Sequence, residues 1–166
     1  MLTPLSIHPL TEQHAAVLCT WQYPAPYDVF NWPSWEQLQE EGEEFADPEI
    51  REQQYVSVLD RQGELVGFAQ FFPIEGVTRL GFGMAPVWCG RGYGSIFVRT
   101  IVEEALRRSP GRVIDLEVLT WNTRAIRAYT GIGFILTDTY EKLTPTGPAE
   151  VHCMVYQGLA SADAHR

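Results

Sequence analysis

The stretch LGFGMAPVWCGRGYG, residues 80–94, decides the fold of this chain. Apolar residues at its start predict a strand that ends at a proline, and apolar residues recur at helical spacing over 95–108. Between the two stands a loop with Gly90, Gly92 and Gly94, whose backbone can curl tightly because glycine has no Cβ. The helix that follows presents free N–H groups at the positive end of its dipole. This order of strand, glycine loop and helix predicts an anion site that suits a pyrophosphate.

Length and composition bound the class of protein. With 166 residues, 45% hydrophobic and 20% charged, the chain suits one globular domain with a substantial core. We expect residues 1–160 to form this domain and residues 161–166 to be a flexible tail. No apolar run reaches the roughly 20 residues of a membrane span, and the first residues lack a signal-peptide pattern. A cytoplasmic protein without a membrane partner is therefore expected.

Charge and cysteine content exclude further classes. The net charge of −9 argues against a nucleic-acid partner, because phosphate backbones are bound through a surplus of Lys and Arg. Cys19, Cys89 and Cys153 are odd in number, far apart and without the spacing of zinc ligands. We expect neither a disulfide framework nor a metal site.

The remaining sequence alternates between helical and strand patterns. Predicted helices cover 11–20, 34–46, 95–108 and 122–130, and predicted strands cover 5–8, 55–60, 64–72, 77–85, 113–120, 134–143 and 151–156. Asp47-Pro48 is expected to end the second helix, because proline disfavours helical backbone in the residue before it. Hairpins combined with one βαβ crossover predict an α/β (α+β) fold: a mixed, mostly antiparallel sheet of six to seven strands flanked by about four helices.

A second motif, NTRAIRAYTGIGF at 122–134, follows the next predicted strand. Together with Gly92 and Gly94 it resembles the signature of the GNAT superfamily of acyl-CoA-dependent N-acetyltransferases. The residues that match the family's second motif at its own spacing are Asn122, Ala125, Tyr129, Gly133 and Phe134. The stretch is similar to that of the ribosomal-protein N-terminal alanine acetyltransferases. The resemblance implies a single-domain GNAT-like fold, acetyl-CoA as co-substrate, a small-molecule or peptide amine as acceptor, and a homodimer in many members.

The resemblance also implies which residues bind acetyl-CoA. They are Met84, Ala85, Cys89, Gly90, Arg91, Gly92, Tyr93, Gly94, Ser95 and Asn122. The backbone N–H near Met84 resembles the family's donor to the thioester carbonyl. Asn122 is either the N-cap of its helix, a partner of the pantetheine arm, or both.

Cys89 is the departure from the family pattern, which has Arg or Gln at this position. Arg91, inside the loop, is the candidate for the missing charge. A thiol near a helix N-terminus has a lowered pKa in some proteins and is then sensitive to oxidation. The alternative is that Cys89 simply tolerates its place in a loop that binds through its backbone.

Two residues are candidates for acid–base catalysis. Tyr129 is the candidate general acid, because a phenol aimed at the sulfur would protonate the departing CoA thiolate; core packing is the alternative. Glu117 stands twelve residues earlier, which is the spacing of base and acid in the resembled enzymes. The alternative is a solvent-facing strand glutamate beside Asp115, with Glu75, His152 or a water chain as the base. No Cys or Ser is visibly paired with a base, so direct attack by the amine is expected.

The segment 21–35 holds six aromatic residues and three prolines, which predicts a loop. In the resembled family this region walls the acceptor pocket. The expected substrate-binding residues are Trp21, Tyr23, Tyr27 and Trp32, with core packing as the alternative. Two other functions remain open at this point: an idle acyl-CoA-binding module of GNAT type, and an unrelated α/β nucleotide binder.

Overall fold

The computed structural model describes residues 4–158, so the expected tail at 161–166 lies outside the described residues. The strands of this part are β1 (Ser6–Pro9), β2 (Tyr55–Leu59), β3 (Leu65–Ile74), β4 (Val77–Met84), β5 (Val113–Leu119), β6 (Phe134–Thr144) and β7 (Gly147–Tyr156). The α-helices are α1 (Glu12–Leu18), α2 (Trp35–Glu41), α3 (Pro48–Gln54), α4 (Gly94–Arg108) and α5 (Thr123–Gly131). Short 3-10 turns cover Tyr27–Phe30, Glu44–Ala46 and Pro86–Trp88.

The described strands form one sheet in the order β1-β2-β3-β4-β5-β7-β6. Every neighbouring pair is antiparallel except β4 and β5, which run parallel and are joined by the crossover helix α4. The predicted mixed, mostly antiparallel sheet of the α/β fold is therefore confirmed.

The parallel pair β4–β5 separates partway along its length. Its register comprises four pairs, from Val77–Val113 to Leu80–Leu116. Strand β4 nevertheless continues to Met84, and β5 continues to Leu119. We call the space between residues 81–84 and 117–119 the β4–β5 gap.

Each face of the sheet buries its own hydrophobic cluster, because successive strand residues point to opposite faces. On the α4 face, Leu80 and Leu116 pack with Phe97 and Ile101 of α4. The cluster on the opposite face, the α1–α3 face, joins the first helices to the first half of the sheet through Leu18, Leu38, Phe45, Tyr55 and Phe68. The sheet is therefore a central layer between two helical layers.

The second predicted helix, 34–46, is wrong in its extent. Helix α2 ends at Glu41 because Gly42 takes the left-handed conformation (φ 65°) that commonly terminates helices. Asp47-Pro48 begins helix α3 instead of ending a helix. The Asp47 carboxylate accepts N–H groups from the first turn, at 2.8 Å from the nitrogen of Glu49, and proline suits this first position since its missing N–H is not needed there. This accounts for a fifth helix where about four were predicted.

Candidate active site

The N-terminus of α4 differs from that of every other α-helix in residues 4–158. Side chains of Thr11, Ser34, Asp47 and Asn122 cap α1, α2, α3 and α5 respectively. The residue before α4 is Tyr93, and no side chain caps this helix. Its first N–H groups are thus left for another acceptor, and the helix dipole favours an anion there.

The loop before α4 has open space around its glycines. Gly90 (φ 73°) and Gly92 (φ 82°) adopt the left-handed backbone conformation that favours glycine. A Cβ added at Gly90, Gly92 or Gly94 would meet no atom within 4 Å. Arg91 and Ser95 are exposed beside them. Backbone N–H groups, open space and one cation are a donor set that fits a pyrophosphate.

The end of β4 directs backbone groups into the β4–β5 gap. The N–H of Ala85 donates to the carbonyl of Val66 in β3 at 2.7 Å. Since adjacent strand residues direct their backbone groups to opposite sides, those of Met84 point away from β3. Accordingly, the Met84 carbonyl accepts the Tyr23 hydroxyl at 2.6 Å. The N–H of Met84 is then a donor on the gap side of the strand.

Cys89 belongs to the turn and not to the helix N-terminus. Its thiol lies 3.5 Å from the carbonyl oxygen of Ala85 and 3.7 Å from that of Met84. Burial raises the pKa of the Cys89 thiol and outweighs the opposing charge of Arg124. The lowered pKa considered for a thiol near a helix N-terminus is therefore wrong, because α4 begins only at Gly94 and Cys89 is partly desolvated.

Tyr129 projects from α5 to the edge of the gap. Its ring packs edge-on against Phe82, with centroids 5.6 Å apart, and Phe82 lies on β4 beyond the last residue paired with β5. Within residues 4–158 the hydroxyl has no hydrogen-bond partner. Burial raises the pKa of Tyr129 above its usual value, so the phenol keeps its proton at neutral pH. Asn122 caps this helix by accepting the N–H of Ala125 at 3.4 Å.

Glu117 lies on the opposite face of the sheet from Tyr129, in a network of charges. Lys142 donates to Glu117 at 2.5 Å, the Tyr140 hydroxyl donates to the same carboxylate, and Arg79 lies 3.5 Å away. Arg79 also forms a two-point ion pair with Asp115, at 2.8 and 3.0 Å. Burial would raise the pKa of Glu117, but the hydrogen bonds from Lys142 and Tyr140 and the nearby cations hold it below its usual value. Glu117 is thus ionised at neutral pH.

The rival bases lie elsewhere. Glu75 is in the turn between β3 and β4, at the opposite end of β4 from Met84. An extended chain separates the two residues by about 30 Å. His152 pairs in register with Val118, whose side chain lies in the α4-face cluster, and its ring hydrogen-bonds to Thr139 at 2.6 Å. Of the three candidates, Glu117 is the one beside the gap on the α1–α3 face.

A cleft of about 490 Å³ opens on the α1–α3 face next to Glu117, and we call it the polar cleft. Its lining comes from the second 3-10 turn, α3 and strands β3 to β6, and comprises Glu44, Ile50, Gln54, Gln70, Phe72, Arg79, Leu80, Gly81, Glu117 and Lys142. Gly81 and Glu117 directly follow the last pair of β4 and β5. The polar cleft therefore adjoins the gap.

The aromatic segment divides between the gap and the core. Tyr23 reaches Met84 on β4, as described above. Tyr27 packs against Trp121 after β5, with ring centroids 5.6 Å apart, and lies 4.6 Å from the Arg124 guanidinium. By contrast, Trp32 packs on the fully buried Phe45 at 4.8 Å, and Trp21 packs against the same cluster. Tyr23 thus contacts the β4 side of the gap and Tyr27 packs on the segment that follows β5, while the two tryptophans contribute to the core.

Comparison with known proteins identifies the family. The model of the acetyltransferase (GNAT) family matches residues 17–134. The chain belongs to the GNAT acetyltransferase family. A search of curated proteins finds no match. No helix in residues 4–158 is both long and apolar enough to cross a membrane, and the same residues contain no group of three or more His, Cys, Asp or Glu suited to a metal.

Solved structures share the fold over nearly the whole chain. A chimera of the spermidine N-acetyltransferase SpeG from Vibrio cholerae and hSSAT superposes with a TM-score of 0.74 at 18% identity, covering 99% of this chain and 100% of the other. The SpeG spermidine/spermine N-acetyltransferase from the same organism gives 0.70 at 17% identity, covering 98% of each chain. A dodecameric form of the enzyme gives 0.70 at 16% identity, again covering 98% of each chain. At these identities the likeness shows the fold.

Several residues around Glu117 and the polar cleft could not be predicted from the sequence. Arg79, Tyr140 and Lys142 surround Glu117, and Glu44 lies at the far end of the polar cleft. The spacing of Tyr140 and Lys142 in a predicted strand indicates that they share a face, but only the register of β6, β7 and β5 shows that this face is the one of Glu117.

Proposed function

We propose that this chain transfers the acetyl group of acetyl-CoA to a primary amine by direct attack in a ternary complex. The observation that carries the proposal is the β4–β5 gap. A tyrosine hydroxyl without a partner in residues 4–158 borders it on one face of the sheet, and a carboxylate lies beside it on the other. A gap between two strands gives an acetyl donor and an amine one place to meet.

The donor side is assigned to the β4 end and the α4 N-terminus. The loop at Gly90 and Gly92 and the uncapped first turn of α4 would hold the pyrophosphate of acetyl-CoA through backbone N–H groups. The Met84 N–H would donate to the thioester carbonyl oxygen, where negative charge develops during attack. Acetyl-CoA supplies the activated acetyl group, and the residues here orient it.

The chemical step needs two proton transfers. The amine nitrogen attacks the thioester carbon, a C–N bond forms, and the C–S bond breaks with its electron pair moving to sulfur. Tyr129 donates its proton to that sulfur, giving free CoA thiol. Glu117 takes the proton that the amine loses, directly or through water. Ionised Glu117 is available for this role at neutral pH, and its low pKa makes it a modest base.

The decisive experiment is a panel of amines incubated with the enzyme and acetyl-CoA, with free thiol release and product mass as readouts. We expect thiol release that depends on both the enzyme and one class of amine, with one acetyl group added per thiol. Tight binding of acetyl-CoA without transfer to any amine would instead indicate an idle acyl-CoA-binding module.

We also expect a homodimer. Strand β6 is an edge of the sheet and is exposed along most of its length, including Ile135 (42%) and Leu136 (49%). Exposed apolar residues on an open edge favour association with another copy. Light scattering after size-exclusion chromatography measures the mass, and a monomer at all concentrations would contradict the expectation.

A further inference from the structure

The charges of the polar cleft are balanced at one end and unbalanced at the other. Near the gap, Arg79 and Lys142 are paired with Asp115 and Glu117, so two cations meet two carboxylates. At the far end stands Glu44, which forms no ion pair with any residue in 4–158. Among the charged lining residues, Glu44 is therefore the one carboxylate without an ion-pair partner in residues 4–158, since Arg79 and Lys142 are already engaged by Asp115 and Glu117.

The Glu44 carboxylate is held in a fixed position. The hydroxyl of Tyr55, a residue only 2% exposed, donates to one carboxylate oxygen at 2.5 Å. The next residue, Phe45, is fully buried and anchors the turn. Glu44 also has a φ of 51°, the one positive value among non-glycine residues of the described chain. This backbone conformation costs free energy in a residue that has a Cβ. A strained backbone that holds an exposed carboxylate is unusual unless the carboxylate has a role.

The sheet register gives the separation between the backbone position of Tyr55, which holds this carboxylate, and the gap. Tyr55 pairs with Gln70, and Gln70 pairs with Gly81, so these three residues form a row across β2, β3 and β4 on the α1–α3 face. Gly81 is at the start of the gap. Two strand spacings, about 10 Å, therefore separate the Tyr55 and Gly81 positions.

We propose that Glu44 binds a second cationic group of the acceptor while its reacting amine lies at the gap. This inference rests on the proposed function and names its acceptor class: compounds with a primary amine and a further cation several bonds away. A cation at Glu44 gains a charge-assisted hydrogen bond to a carboxylate already oriented by Tyr55. At the gap end of the cleft, Arg79 and Lys142 repel the reacting amine little, because Asp115 and Glu117 neutralise their charges.

The experiment compares matched acceptors that differ by one charge. One arm uses α,ω-diaminoalkanes against monoaminoalkanes of equal length, and the other uses a short peptide with a Lys side chain against its norleucine counterpart. We expect the native enzyme to prefer the dication of one arm. Glu44→Gln should raise the KM for that dication about tenfold to a hundredfold, with a much smaller effect on kcat, so that the preference collapses.

Two further variants distinguish the effect of losing the Glu44 carboxylate from effects on the fold or on net charge. Glu44→Gly removes the carboxylate and places at φ 51° the residue that best tolerates it, so it should fold and show the same loss of preference. Glu43→Gln neutralises the adjacent exposed glutamate, which does not line the cleft, and should keep the native preference.

The outcomes are distinct. Native enzyme that acetylates amines without preferring the dication, or a Glu44→Gln enzyme that keeps the native KM for it, overturns the role of Glu44 and leaves the acetyltransferase proposal standing. Native enzyme that binds acetyl-CoA and acetylates no amine overturns the proposed function, and the role of Glu44 with it. The same KM rise in Glu43→Gln would attribute the effect to net charge and likewise overturn the assignment.

Discussion

The two faces of the sheet border the same gap but carry different chemistry. On the α4 face the gap is lined by apolar side chains, with the Tyr129 phenol among them, and the polar groups assigned to the donor are mainly backbone N–H groups, joined by the exposed Arg91. On the α1–α3 face the gap adjoins a cleft of charged and amide side chains. A donor that is constant across a family suits backbone recognition, whereas an acceptor that varies suits side chains, which substitution alters easily. Donor and acceptor would thus reach the gap from opposite faces.

The largest effect is expected on the α4 face, from removing the phenol oxygen of Tyr129. In Tyr129→Phe we expect kcat to fall by about 10²–10⁴, the usual contribution of a general acid, because the CoA thiolate must leave without a proton. The Kd for acetyl-CoA should stay within about twofold, since the ring and its contact with Phe82 remain. Steady-state kinetics and calorimetry measure the two quantities.

Tyr156→Phe is the matched control for that variant. Tyr156 packs on Phe134 at 5.3 Å, as Tyr129 does at 6.2 Å, but it comes from β7 and does not border the gap. Its kcat should match that of the native enzyme. Unchanged turnover in Tyr129→Phe would remove Tyr129 from the mechanism.

Backbone recognition of the donor is tested by a pair of glycines with the same conformation. Gly92 (φ 82°) and Gly63 (φ 80°) both have open space where a Cβ would be added, but Gly63 lies in the turn between β2 and β3. Alanine should destabilise the fold equally at both sites, since the left-handed backbone disfavours a Cβ. Only Gly92→Ala should weaken acetyl-CoA binding, by about tenfold, as the loop relaxes from its binding conformation. Equal affinities in the two variants would place the pyrophosphate elsewhere.

The charged face predicts a dependence of stability on pH. The pKa of Glu117 is lower in the folded state than in the unfolded chain, so the stability it contributes is fully present above the unfolded value of about 4.3 and is lost as pH falls through the folded value. Urea unfolding should show native enzyme more stable than Glu117→Gln at neutral pH, with the difference shrinking below pH about 4. A constant difference across this range would mean that the ion pairs add nothing.

The smallest expected effect concerns Cys89, where the chain departs from the family pattern. Because its thiol contacts the carbonyls of Met84 and Ala85, Cys89→Ala should change the Kd for acetyl-CoA by less than about threefold. Burial raises the pKa of Cys89, so the thiolate fraction at pH 7.5 is below that of free cysteine, and alkylation by iodoacetamide should be slower. Peptide mass spectrometry over time measures this rate, and faster labelling than free cysteine would contradict the assignment.

The sequence predicted the α4 face far better than the α1–α3 face. The glycine loop, α4, Asn122 and Tyr129 follow one another within residues 90–129, and each has a local signature of spacing, turn or cap. The polar residues of the α1–α3 face come from five separate elements, and the register of six strands brings them together: Glu44, Gln70, Arg79, Glu117 and Lys142. Periodicity gives the face of each residue within its own strand but not its neighbours across the sheet.

The wrong prediction that Asp47-Pro48 ends a helix also came from relying on a local pattern. An Asp-Pro pair is compatible with the end of one helix and with the start of another, because proline restricts the residue before it and also suits the first helical position. The choice was decided by Gly42, whose left-handed conformation ends α2 five residues earlier. The sequence also could not show that the two tryptophans of the aromatic segment belong to the core and the two tyrosines do not. That difference depends on contacts between distant residues, such as Trp32 with Phe45 and Tyr23 with Met84, which no local pattern reveals.

Direct attack requires that donor and acceptor occupy the β4–β5 gap together. The initial-rate pattern of the native enzyme tests this requirement, with acetyl-CoA and the amine varied against each other and thiol release followed without amine. Direct attack in a ternary complex predicts intersecting double-reciprocal lines and no burst of thiol in the absence of amine. Parallel lines with a burst of one thiol per enzyme would require an acetylated side chain, and would contradict the account.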